Sequence, residues 1–164
     1  MADNENTTPE AAAQGQPEGP NFAIQRIYVK DMSFETPMGV KVFTVPFQPQ
    51  IKLDVNTRGN EVGENQHEIV LTLTVTAELE GEVAFLIELQ QAGVFMVTGF
   101  PEEQLRQVLA TVCPNFLFPY AREAIDNIAV HGGFPAVALK PLDFDGIYRQ
   151  SLAAEAEQGG QSLN

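Results

Sequence analysis

From Ile69 to Leu79 every second residue is apolar, and this strict alternation constrains the fold more than any other feature of the chain. Ile69, Leu71, Leu73, Val75, Ala77 and Leu79 point one way. Glu68, Thr72, Thr74, Thr76 and Glu78 point the other, and Val70 alone breaks the pattern. A period of two means a strand with one face on a core and the other in solvent. Glu80-Gly81 then supplies a tight turn, and 83–97 returns with Val83, Phe85, Ile87 and Leu89 in phase against Glu82, Ala84, Leu86, Glu88 and Gln90. The two runs form a hairpin.

Two further strands precede it. At 50–56, Ile51, Leu53 and Val55 alternate with Lys52, Asp54 and Asn56. A first strand runs from about Phe22 to Glu35, but there Arg26 and Lys30 share a parity with Ile24, Tyr28, Met32 and Phe34, which asks for a bulge or a two-sided contact. The link 36–49 contains Pro37, Pro46 and Pro49, yet also Val40, Val42, Phe43, Val45 and Phe47, an apolar content unusual for a loop.

After Pro101 the period changes to 3.6. Pro101 with Glu102 and Glu103 opens a helix, because proline suits the first turn and carboxylates favour its positive end. The apolar stripe is Leu105, Val108, Leu109, Val112, Phe116, Leu117, Tyr120, Ala121, Ile125 and Ile128, and Gly132-Gly133 stops it. Pro114 and Pro119 each remove a ladder hydrogen bond, so a kink or break is expected at 113–119. A second helix starts at Asp143, its N-cap, and shows Ile147, Tyr148 and Leu152. Strands followed by helices make an α+β domain: a four-stranded antiparallel sheet with one long and one short C-terminal helix packed on one face.

Residues 1–21 carry Asp3, Glu5, Glu10 and Glu18 and no large apolar residue after Met1, so they are expected to be a disordered acidic extension. Residues 153–164 are expected to be a disordered tail, which leaves 22–152 as the folded domain. The start has neither a basic nor an apolar signal region, and Cys113 is the sole cysteine, so a reducing, cytoplasmic location is expected. With 9 Lys+Arg against 22 Asp+Glu and a net charge of -13, the chain repels phosphate backbones; nucleic acid and anionic membranes are poor candidates as partners, and no membrane insertion is expected.

Catalysis finds no foothold. Cys113 lies on the long helix beside Pro114, and the two histidines, His67 and His131, sit at a strand start and a helix end. His67-Glu68 is not followed by the second histidine of a zinc-protease helix. Asp143-Phe144-Asp145-Gly146 lacks the later ligands of a calcium loop, and no phosphate-loop Lys-Ser/Thr follows the glycines. No metal, no cofactor and no enzymatic activity are expected.

Three segments carry a family resemblance: Phe22-Ala-Ile-Gln-Arg-Ile-Tyr-Val-Lys-Asp-Met-Ser-Phe-Glu-Thr-Pro37, Asn115-Phe-Leu-Phe-Pro-Tyr-Ala-Arg-Glu123, and Phe144-Asp-Gly-Ile-Tyr148. In these the chain, from about Phe22 to Leu152, resembles the SecB family of protein-export chaperones. The resemblance implies an ATP-independent holdase that keeps precursor proteins unfolded, delivers them to the SecA motor, and assembles as a homotetramer, a dimer of dimers.

It also implies two surfaces. The motor-docking patch falls on Asp31 and Glu35 of the first strand and on Leu86 and Glu88 of the fourth. Alternation supports one shared face, since Asp31 and Glu35 have one parity and Leu86 and Glu88 are out of phase with Phe85 and Ile87. Leu86 among Glu82, Glu88 and Gln90 offers an apolar anchor within an acidic rim. The client groove falls on Phe43, Phe47, Leu53, Val55, Leu142, Ile147 and Tyr148, with Phe47 where the family often has Trp. The alternative is a small α+β binding or assembly protein whose aromatic loop is core.

Overall fold

The computed structural model describes residues 19–161, with side-chain burial described through Glu157. The expectation for 1–18 lies outside the described residues. Four strands follow, β1 (Asn21–Glu35), β2 (Gln50–Gly63), β3 (Gln66–Leu79) and β4 (Glu82–Thr98), in the antiparallel order β1-β4-β3-β2. Both hairpins close through two-residue turns. At Glu80-Gly81 both residues have positive φ, 51° and 84°, the twist a tight hairpin needs. The 36–49 link, which includes a 3-10 turn at Gly39–Thr44, connects the two opposite edges of the sheet.

The ambiguity of the first strand resolves into two bulges. The register runs Ile24↔Phe95, then Arg26↔Val94, and later Val29↔Gln91, then Asp31↔Gln90, so Gln25 and Lys30 are skipped. Each skip resets the alternation. Phe22, Ile24, Ile27, Val29, Met32 and Phe34 therefore share the face of Phe85, Ile87 and Leu89, while Asp31, Ser33 and Glu35 take the other.

The helices lie on that inner face, over a core that includes Ile69, Leu71, Leu73, Val75, Phe85, Ile87, Leu89, Leu117 and Ile125. The long helix is α1 (Glu102–Gln107), a wider π turn (Val108–Val112) and α2 (Cys113–His131). The distortion falls just before the expected 113–119. Pro114 would press on the Ala110 carbonyl in a regular helix, and the wider turn takes up the extra room. Within it the Cys113 N–H donates to the Val108 carbonyl, five residues back, and the Thr111 hydroxyl donates to Gln107 O at 2.9 Å.

Asp143 caps α3 (Phe144–Gln161) as expected, its Oδ1 accepting from the Gly146 N–H at 2.9 Å. Phe144 anchors the helix, buried against Phe118. The tail expected at 153–164 is a correction: helix continues through Gln161. Ala153, Ala154, Glu155 and Ala156 are good helix formers, and the preceding turns serve as a nucleus, so propagation overrides the low hydrophobicity of the segment. Among the described residues, no helix is long and apolar enough to cross a membrane.

Candidate functional site

Two surfaces emerge on opposite faces of the sheet. On the outer one, the register sets Glu35 directly opposite Leu86, Ser33 opposite Glu88, and Asp31 opposite Gln90. All four residues of the expected patch thus share one face at one end of the β1–β4 pair. Asp31, Glu35 and Glu88 are exposed and Leu86 is half-buried. None of these carboxylates joins an ion pair among the described residues; the pairs there are Lys30–Glu68, Lys41–Glu82, Lys52–Glu78 and Arg106–Glu102. The patch is therefore unneutralised charge around an apolar centre. Thr74 and Thr76, opposite Glu88 and Leu86 on β3, extend it as small neutral neighbours.

On the inner face, aromatic rings gather where the 36–49 link passes the end of α2. Phe134 is the hub: its centroid lies 4.8 Å from Phe85, 5.3 Å from both Phe43 and Phe47, and 6.1 Å from Phe34. Phe43 remains 56% exposed and Val40 80% exposed, so the cluster is open to solvent on the loop side.

The end of α2 builds this hub. The Phe134 N–H donates to the Ala129 carbonyl and the Gly133 N–H to that of Val130, with Gly133 at φ 88°, which together form a Schellman stop. Such a stop turns its last residue back onto the helix, and here that residue is Phe134. The glycines also make room: a Cβ on Gly132 would stand 2.2 Å from Phe34 Cζ, and one on Gly133 3.2 Å from Phe43 Cε1.

The second half of the expected groove is a cleft of about 290 Å³ lined by Val55, Asn56, Thr57, Ala110, Ile147, Tyr148 and Ser151. It joins edge strand β2, the π turn and α3. Val55, Ile147 and Tyr148 line this one cleft together. Leu53 lies one inward position along β2 toward the aromatic cluster, and Leu142 packs half-buried against the core. Phe34, Phe85 and Phe134 were not among the expected groove residues. Phe134 had a signal, since an apolar residue directly after a helix-ending glycine pair marks the buried position of such a stop.

Cys113 is fully buried, and burial pushes its thiol up to about 12, far from a nucleophile's range. His67 and His131 lie on different elements, one entering β3 and the other ending α2.

The family model for SecB, "Preprotein translocase subunit SecB", matches residues 15–155. The chain is 52% identical over 142 residues to the protein-export protein SecB of Hahella chejuensis, covering 87% of this chain and 89% of that one. It is 49% identical to the same protein of Marinobacter nauticus, covering 96% and 93%, and 47% identical to that of Cellvibrio japonicus over the whole of both. Among solved structures, a SecB-like chaperone of Mycobacterium tuberculosis in complex with a ChAD peptide from an antitoxin shares the fold, with a TM-score of 0.60, 15% identity, and 74% and 90% of the two chains covered. Family model, relatives and fold agree: the chain belongs to the SecB family and is a protein-export chaperone.

Proposed function

We propose that the protein is an ATP-independent holdase of the cytoplasm that binds unfolded precursor proteins along its inner-face groove and hands them to the SecA motor at its outer acidic face. The open aromatic cluster carries this reading. Phe43 and Val40 stay in water beside a ring hub, an arrangement that leaves apolar surface for an incoming chain. The cleft at Val55, Ile147 and Tyr148 offers a second contact for the same chain, reached along Leu53. Leu142, in the segment joining α2 to α3, packs half-buried against the core.

Each apolar side chain taken up contributes roughly 1.5–3 kcal/mol before ordering costs, so a single site holds a client weakly. Repeating the site on one assembly raises retention by about 10² to 10⁴ through effective concentration, with no demand on client sequence. A homotetramer supplies that repetition. Its support is the apolar surface on inward-facing Ile24, Val29 and Met32 of β1 and on Val112, Phe116 and Tyr120 of the long helix, all exposed in the single chain. Light scattering is expected to give about four times the chain mass of 17.9 kDa; a monomer would overturn the assembly.

The decisive test mixes the protein with a denatured precursor and follows refolding. Refolding is expected to slow by the same factor with and without ATP. Unchanged refolding in excess protein would defeat the holdase reading.

A further inference from the structure

The outer face of the sheet holds one buried charge. Glu68 on β3 is 9% exposed, and it accepts Lys30 Nζ on both oxygens, at 2.8 and 2.9 Å, and the Tyr28 hydroxyl. Both donors stand on β1, with β4 between them and Glu68, so both side chains span a whole strand. Where they cross, Tyr28 faces Ala92 and Ala92 faces Val70. Those two point outward and are nevertheless fully buried. Val70, which breaks the alternation of its strand, thus lies where long side chains cross from both edges of the sheet: Tyr28 and Lys30 reach Glu68 from β1, and Arg58, opposite Val70 on β2, donates to Gln90 Oε1 at 3.3 Å. Ala92 is small enough to let them pass.

Lys30 is also the unpaired residue of the second β1 bulge. No glycine or proline marks that bulge; the local sequence is Val29-Lys30-Asp31. Without it, every residue beyond would exchange faces, burying Asp31 and Glu35 and exposing Phe34. The bulge is instead held from both sides of the sheet. Inside, the Gln91 side chain, 2% exposed, donates Nε2 to the Tyr28 carbonyl at 2.9 Å. Outside, Lys30 is tied to Glu68. The tie has a second effect: the ammonium adjacent in sequence to Asp31 is committed elsewhere, and Asp31 keeps its charge unneutralised.

We infer that Tyr28, Lys30 and Glu68 form a register clasp, positioning residues that hold the bulge at Lys30 and so present Asp31 and Glu35 beside Leu86 and Glu88 to the motor. The inference rests on the reading of that patch as the docking face. Lys30 and the Tyr28 hydroxyl also hold the Glu68 carboxyl below its ordinary pKa, as expected of a carboxylate kept ionised by its partners.

The test compares the full chain with three variants. Lys30→Met/Glu68→Gln removes both charges together and leaves no orphan ion, Lys30→Glu/Glu68→Lys restores the pair in reverse, and Tyr28→Phe removes only a hydroxyl. The readouts are affinity for purified SecA, client retardation, and the NMR cross-strand contacts Glu35–Leu86 and Ser33–Glu88.

The neutral pair is expected to lose those contacts and about tenfold in SecA affinity while client retardation holds. The reversed pair is expected to recover both, and Tyr28→Phe to fall between. Neutral-pair contacts and affinity equal to the parent's would overturn the clasp, as would a reversed pair that stays as weak as the neutral one. Failure of the docking reading looks different: contacts disappear in the neutral pair, but SecA affinity is indifferent both to that and to Glu88→Lys.

Discussion

Replacing Gly132 with alanine is expected to destabilise the protein by roughly 1–3 kcal/mol and to abolish most client retardation. The backbone is not the reason, because Gly132 has φ -74° and any residue adopts that. The reason is space. The new methyl would meet Phe34 Cζ at 2.2 Å and Cε1 at 2.6 Å, well inside van der Waals contact. Phe34 escapes only by leaving its stack on Phe85 at 6.0 Å and its contact with Phe134, giving up aromatic pairs worth about 0.5–1.5 kcal/mol each. Displacement of the hub ring then closes the open cluster at Phe43. Thermal unfolding and a refolding assay check this, and adding Phe34→Leu is expected to recover part of the stability by relieving the clash. A Gly132→Ala protein that melts and holds clients like the parent would show that the close approach is not limiting.

Glu88→Lys is expected to leave client retardation intact and to weaken SecA binding roughly ten- to a hundredfold, about 1.4–2.8 kcal/mol. The three exposed carboxylates Asp31, Glu35 and Glu88 would become two carboxylates and one ammonium, so the patch charge drops from three negative to a net of one. The new lysine would stand near Asp31, diagonal to it across the β1–β4 pair, and cancel it, besides repelling a basic partner. Stability should move by no more than about 0.5 kcal/mol, since the side chain is exposed and makes no ion pair. Titration of salt separates charge loss from misfolding: the parent's affinity should fall steeply with ionic strength and the variant's only shallowly. Equal affinities would remove the patch from the docking face, and loss of both activities together would mean that the two surfaces are not independent.

The sheet was legible in the sequence wherever one face is wet and the other dry. The β3–β4 hairpin reads directly from alternation, because Thr72, Thr74 and Thr76 face water while Leu71, Leu73 and Val75 do not. β2 was read only to 56 because Arg58, Gly59, Asn60 and Glu61 show no alternation; β3 extends it by offering backbone partners, which side-chain periodicity does not report.

Parity placed Asp31 and Glu35 together, and Leu86 with Glu88, but the bulge that puts the two pairs on one face depends on Gln91 and Glu68, from strands far off in sequence. The groove was half legible. Phe43 and Phe47 stood out as aromatics in a loop, whereas Phe34 and Phe85 looked like ordinary strand core and Phe134 like a residue past a helix end. The extension of α3 to Gln161 was missed because propagation from an existing turn needs no apolar face.

The strand order carries a lesson about how this chaperone is itself made. β2, β3 and β4 form a meander closed by two-residue turns, so each can pair as soon as it leaves the ribosome. β1 is synthesised first but pairs only with β4, and Asn21 has to wait for Thr98. Until then it is a long unsatisfied strand carrying Ile24, Val29, Met32 and Phe34, the sort of nascent segment that aggregates. Every newborn copy thus passes through a stage in which it resembles the chains it exists to protect, and mature copies already in the cell are suited to shelter it.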